Sequence, residues 1–110
     1  MKVVILDSVE QDLKELRTSH LRGGVVQNFS QATWLKTYSK LKESIRNLAT
    51  FPLLGAVPPE LESLNLNQYR QIVSGMNRVI YEPRADAVYI YMIVDTRRDL
   101  ETLLMQRLMR

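Results

Sequence analysis

The side chains best suited to chemistry in this 110-residue chain are its arginines and tyrosines. Ten of the fifteen basic residues are arginine, whose planar guanidinium holds phosphates and carboxylates in a bidentate fork. Arg70, Arg78, Arg97 and Arg98 stand in or beside segments that read as strands and turns, where they would present cations to an anionic target. Arginine can stabilise developing negative charge, but it hardly ever exchanges a proton near neutrality. That step would fall to Tyr69, Tyr81, Tyr89 or Tyr91, all in strand-like segments, or to His20, the one histidine. Strand tyrosines more often contribute packing and a satisfied hydroxyl than catalysis. Cysteine is absent, which excludes disulfides, thiolate zinc sites and cysteine nucleophiles. No metal or cofactor is expected.

A length of 110 residues with 45% apolar composition fits one domain spanning residues 1–110 with a single core. The apolar start, Met1 to Leu6, gives way at once to Asp7 and Ser8. That is too short for a signal peptide or for the run of about 20 apolar residues that a bilayer requires. The expected location is the cytoplasm, without membrane contact. A net charge of +3 is compatible with an acidic partner, and equally with an ordinary basic surface.

Lys2 to Leu6 is rich in β-branched residues and reads as a buried strand. Ser8-Val9-Glu10-Gln11 has the form of a capping box. The helix after it puts Val9, Leu13, Leu16 and His20 on one face, leaves Asp12, Lys14, Glu15 and Arg17 in water, and ends at Gly23-Gly24. A second helix follows a cap at Asn28 or Ser30 and runs to about Ala49, because Trp34, Tyr38, Leu41, Ile45 and Leu48 recur at steps of four and three. Phe51-Pro52 stops it. Leu53 to Asn67 reads as an irregular surface connection.

Three strands are then predicted at Tyr69 to Ser74, Arg78 to Glu82 and Ala87 to Asp95, in an antiparallel meander broken by Gly75-Met76-Asn77 and Pro83-Arg84-Ala85-Asp86. The last segment, capped by Thr96 or Asp99, places Leu100, Leu103, Leu104 and Leu108 on one helical face. The fold class is α+β in the order β-α-α-β-β-β-α. A mostly antiparallel four-stranded sheet carries the N-terminal helical hairpin on one face, and part of the other face is left open beside the C-terminal helix.

These elements decide what the arginines can do together. Arg78 opens a central-looking strand, where a charge is unusual unless the face is open or the charge is paired. A two-residue Gly75-Met76 loop points Arg70 and Arg78 to opposite faces, whereas a three-residue loop ending at Asn77 puts both on one face and makes a joint site. Arg97 and Arg98 read either as part of a binding site or as a solvated turn paired with Asp95, Asp99 or Glu101. Trp34 and Tyr38 read as core, His20 as a helix-end cation, and Met76, Met92, Met105 and Met109 as adaptable apolar filler.

The ordered set of local motifs resembles the RelE/ParE toxin superfamily of type II toxin–antitoxin systems. Asp12-Leu13 after the first strand is similar to the family's start. Ile45-Arg46-Asn47-Leu48-Ala49-Thr50-Phe51-Pro52 followed by Leu54-Gly55 resembles its helix-to-loop transition. Tyr69-Arg70 and Asn77-Arg78-Val79-Ile80-Tyr81 look like its hairpin, and Asp95-Thr96-Arg97-Arg98-Asp99 resembles the arginine pair that closes its last strand. The resemblance implies a toxin that a cognate antitoxin neutralises in a toxin–antitoxin hetero-oligomer.

Within that superfamily, RelE-like members cut messenger RNA on the ribosome, and ParE-like members poison DNA gyrase by protein contact. Carried over to this chain, the metal-independent nuclease pattern would use Arg70, Arg78 and Arg98. Its C-terminal tyrosine falls on Leu103 or Leu104, and its second lysine falls near Ile72. Neither residue can transfer a proton or hold a phosphate. This departure, with the long second helix, makes the chain more similar to ParE-like members and favours target binding over enzyme action. Residues expected to meet a target or antitoxin are Arg70, Arg78, Arg97, Arg98, Leu104, Met105 and Leu108. A non-toxic nucleic-acid-binding or adaptor domain is the third reading.

Overall fold

Two hydrophobic periods organise the chain, one near 3.6 residues in its first half and one of two residues between 70 and 95. A computed structural model describes residues 1–22 and 27–108, with side chains for residues 1–17 and 32–107. Its elements are β1 (Lys2–Ile5), α1 (Asp7–Arg22), α2 (Gln27–Thr50), α3 (Pro59–Glu62), β2 (Arg70–Ser74), β3 (Asn77–Pro83), β4 (Ala87–Asp95) and α4 (Leu100–Leu108). The α+β class and the element order agree with the sequence reading, with α3 added.

The sheet order is β1-β4-β3-β2, so α1 and α2 carry the chain from one edge of the sheet to the other. β2 and β4 pair antiparallel with β3, whereas β1 lies parallel to β4, with Lys2 opposite Ala87 and Ile5 opposite Ile90. On one face, Val9 of α1 and Leu41, Ile45 and Leu48 of α2 pack on Val79, Tyr81, Val88, Ile90 and Ile93. On the other, Leu61 of α3 and Leu100 and Leu104 of α4 pack with Tyr69 on Ile80, Met92 and Val94. Ile90 and Ile93 are three residues apart yet serve the same core. The register slips between Ile80 and Tyr81, with Ile80 opposite Met92 and Tyr81 opposite Ile90. Tyr91 is therefore an extra, bulged residue that resets the alternation.

Several expectations need correction. At the centre of the second face α3 joins α4 as cover. The segment from Leu53 to Asn67 is not wholly irregular. Pro59 supplies the fixed φ of a first helical position after Pro58, and Glu60 and Glu62 suit the positive helix start. Asn65 at φ 59° then closes the turn, with Leu66 N–H donating to Leu61 C=O at 2.8 Å and Asn65 N–H to Glu62 C=O at 3.0 Å. Leu61 and Leu66 meet in the second core, the apolar contact that accompanies this type of helix stop.

Ser8 is not a cap, since α1 is already helical at Asp7. α2 is likewise helical from Gln27, ahead of Asn28 and Ser30. Of the two proposed caps for α4, Asp99 fills the role. Its carboxylate accepts from the Thr102 backbone N–H at 3.2 Å and from the Thr102 hydroxyl at 2.8 Å. Trp34 is buried and stacks on half-buried Tyr38 at 5.9 Å between ring centroids, as a core role requires. The helix stop at Gly23-Gly24, the side chains of His20 and Leu108, and Met109 lie outside the described residues.

Candidate functional site

The β2–β3 turn settles how the two strand arginines relate. Ser74 pairs with Asn77, so the loop is Gly75-Met76, and Gly75 at φ 60° takes the first central position, where a left-handed backbone needs glycine. Val73 then stands opposite Arg78 and Tyr81 opposite Arg70. Directly opposed residues share a face, so Arg70 and Arg78 project from opposite faces of the sheet. They form no joint site.

Each is committed to its own protein partners. Arg78 is 9% exposed. Its Nε donates to Gln71 Oε1 at 2.6 Å, and Nη1 and Nη2 donate to the two carboxylate oxygens of Glu60 at 2.8 and 3.0 Å. This fork ties α3 to the centre of the sheet. It also holds the Glu60 carboxyl below its ordinary pKa, chiefly through the hydrogen bonds from Arg78. On the opposite face Arg70 Nη1 donates to Gly55 C=O at 2.6 Å and, more weakly, to Leu53 C=O at 3.4 Å. Gly55 N–H in turn donates to the buried Tyr81 hydroxyl at 2.8 Å. Both arginines thus anchor the segment between α2 and β2.

The turn between β4 and α4 separates Arg97 from Arg98. Arg97 folds back on Asp95, with Nε and Nη2 donating at 2.9 and 2.8 Å, and this contact lowers the Asp95 pKa. Arg98 is exposed, and its guanidinium has no hydrogen-bond or ion-pair partner among the described residues. The turn abuts the β2–β3 hairpin, because Thr96 N–H donates to Met76 C=O at 2.7 Å. Arg98 thus belongs to a turn hydrogen-bonded to the hairpin that carries exposed Met76. In α4, Leu104 is fully buried in the second core, whereas Met105 is 40% exposed.

The sheet tyrosines are all engaged. Burial pushes Tyr69, Tyr81 and Tyr91 above the ordinary phenol pKa, and donation to Asp86 at 2.6 Å pushes Tyr89 up. None is prepared to give up its proton near neutrality. Tyr91 meets the edge of Tyr69 at 5.2 Å and accepts from Arg84 Nη2 at 2.9 Å. Arg84 also pairs with Glu82 and lies 4.6 Å over the Tyr89 ring. This hairpin cluster carries Glu82 and Asp86 against one arginine, an excess of negative charge that suits no phosphate. Among the described residues no three His, Asp or Glu side chains come together as a metal site would need.

Sequence reasoning missed Asp12. It reads as a solvent-facing residue of α1, yet it is 5% exposed, accepts from Ile93 N–H at 3.0 Å and pairs with Arg107 of α4. An acidic residue four positions before an apolar one on a helix carries no local sign of this, because its partner lies 95 residues away. Glu60 was missed too, although the Pro59-Glu60 helix start could have marked it. No helix among the described residues is long and apolar enough to cross a membrane.

A family model described as the ParE toxin of type II toxin–antitoxin system, parDE, matches residues 3–100 of this chain. No curated protein matches it.

Proposed function

The chain belongs to the ParE toxin family of type II toxin–antitoxin systems, and on that premise we propose that it inhibits growth in the cytoplasm by binding DNA gyrase and poisoning it through protein contact. A cognate antitoxin would neutralise it in a hetero-oligomer. One observation carries the choice of binding over cleavage: Arg70 and Arg78 project from opposite faces and are both spent on internal acceptors. RNA cleavage needs several cations converging on one phosphate and a group that transfers protons beside them. The engaged tyrosines with raised pKa values add nothing to that chemistry. Exposed Arg98, on a turn bonded to the hairpin that carries exposed Met76, suits a protein partner instead, since arginine and methionine are enriched in interfaces.

The test is a supercoiling assay with purified toxin and gyrase. Inhibition with a trapped cleavage complex at micromolar toxin is the expected result, and the absence of both overturns the reading. Mapping messenger 5′ ends on translating ribosomes examines the RelE-like alternative, which predicts new toxin-dependent ends that Arg78→Ala abolishes.

A further inference from the structure

The charge of the chain is concentrated on one helix. α2 contains Lys36, Lys40, Lys42 and Arg46 against the single carboxylate of Glu43. That excess equals the net +3 of the whole chain, so the remaining residues balance to zero. All four cations are exposed, and none forms an ion pair among the described residues. By contrast, Arg78, Arg84, Arg97 and Arg107 are each held by a carboxylate. α1 has no such excess, since exposed Asp7, Glu10 and Glu15 oppose Lys14 and Arg17.

The four cations are regularly placed. At about 100° per residue, Lys36 and Lys40 form one row along the helix, and Lys42 and Arg46 form a second about 120° away. Between the rows lie exposed Ala32, Ser39 and Glu43. The opposite side of the helix is the buried one, with Trp34, Leu41, Ile45 and Leu48. α2 therefore turns outward a face with mostly short side chains along its middle and a row of cations on each margin. With side chains extended, the rows of charge stand roughly 14 Å apart and run over about 15 Å of helix. Tyr38 helps to fix one row, because its ring centroid lies 5.2 Å from Lys42 Nζ.

We propose that this face of α2 binds double-stranded DNA without regard to base sequence, its two rows reaching the phosphates on either side of the major groove. That groove is about 12 Å wide and admits an α-helix. The inference goes beyond the gyrase reading and stands without it; it would place the toxin on the duplex where gyrase works. Other anionic partners fit this face less well. A single strand needs exposed rings to stack on, whereas Trp34 is buried and Tyr38 is half-buried. Duplex RNA has a deep, narrow major groove that side chains do not enter. An acidic helix needs several apolar anchors, and Leu35 is the one large apolar side chain exposed on the described part of α2. A membrane surface needs an apolar face to insert, and that of α2 is taken up by the core.

Fluorescence anisotropy of the full-length chain with labelled duplexes of about 20 base pairs tests this. Two unrelated sequences should bind equally, with Kd on the order of 10 μM at low salt. The logarithm of the association constant should fall against that of salt with a slope near −3 to −4, as release of counterions from about four phosphates requires. Lys36→Glu/Lys40→Glu and Lys42→Glu/Arg46→Glu should each weaken binding about tenfold or more and reduce the slope by about 2. Glu43→Gln should tighten it about twofold or more, since it removes the one carboxylate facing the phosphates. Lys14→Glu/Arg17→Glu makes the same change in net charge on α1 and should weaken binding less than about threefold. All these side chains are exposed, and should a double variant fail to fold, Glu43→Gln and the salt slope still decide.

A wild-type Kd above about 1 mM at low salt, a slope near zero, or equal losses from the α1 and α2 pairs overturns the inference. Tighter binding to single-stranded RNA, duplex RNA, polyglutamate or phosphatidylserine vesicles at the same ionic strength assigns the face to another occupant and also overturns it. Each of these outcomes leaves the gyrase reading standing. A chain that binds the duplex as expected but fails in the supercoiling assay loses the gyrase reading alone.

Discussion

Asp12 of α1 and Arg107 of α4 meet around the free margin of β4, just past the point where β1 stops. β1 pairs with β4 only from Ala87 to Ile90. Beyond it, Ile93 N–H donates to Asp12 Oδ2 at 3.0 Å, and Tyr91 C=O accepts from Arg107 Nη1 at 2.8 Å. The two side chains stand in for the missing strand and link helices that lie on opposite faces of the sheet. Asp12→Ala leaves a half-buried guanidinium and a buried N–H without their acceptor, and should cost about 3 kcal/mol. Urea denaturation followed by circular dichroism measures this; a loss under about 1 kcal/mol would show that the margin is satisfied by other groups.

The Glu60–Arg78 fork gives stability a definite pH dependence. Glu60 has a folded-state pKa below its ordinary value of 4.5, so the folded chain holds this proton less tightly than the unfolded one. Its contribution is therefore full above pH 4.5 and fades as pH falls through the lowered value. Glu60→Gln should reduce the urea midpoint at pH 7 and flatten its decline between pH 5 and pH 3. Arg78→Lys should not restore the wild-type profile, because an ammonium cannot reproduce the bidentate geometry. A variant curve parallel to wild type would assign the acid sensitivity elsewhere.

Gly55 and Tyr81 form the opposite anchor. Tyr81→Phe orphans the Gly55 N–H and should destabilise by about 1–2 kcal/mol. Gly55→Ala drives a methyl into the backbone of Gln71 and should cost about 1–3 kcal/mol as the loop shifts. Thermal unfolding of both variants checks the order of effects. Because Tyr81 is placed as a structural group, Tyr81→Phe should arrest growth like wild type wherever it remains folded, and selective loss of toxicity would give the hydroxyl a direct role.

Arg98 should behave in the opposite way. Its exposed guanidinium has no hydrogen-bond or ion-pair partner among the described residues, so Arg98→Glu should change stability by less than about 0.5 kcal/mol. In the supercoiling assay the same variant should need about tenfold more protein for equal inhibition, the usual scale for a central interface arginine. Arg70→Ala and Arg78→Ala should instead lose activity only in proportion to lost stability. Full gyrase inhibition by Arg98→Glu would move the contact surface away from this turn.

Much of the fold was legible along the chain. The Trp34–Leu48 periodicity marks α2, and the turn residues at Gly75-Met76 and Pro83 to Asp86 mark the hairpins, because helix and strand periods are local properties. Asp99 could be named as a cap for the same reason, its hydroxyl partner Thr102 being three residues away. α3 escaped notice since four helical residues carry too little periodicity, even with Pro59 and Asn65 at its ends.

Tertiary structure decided the rest. Sequence alone could offer two loops for the β2–β3 hairpin, and a difference of one residue moves Arg78 from the face of Arg70 to the face of Glu60, because side chains alternate with period two. The Tyr91 bulge likewise chooses which core receives Met92 and which receives Ile93. Asp12 and Arg107 show the limit most plainly. Each looks like an ordinary charged position on an amphipathic helix, and their pairing exists only because β1 ends one bulge short of the exposed backbone of β4.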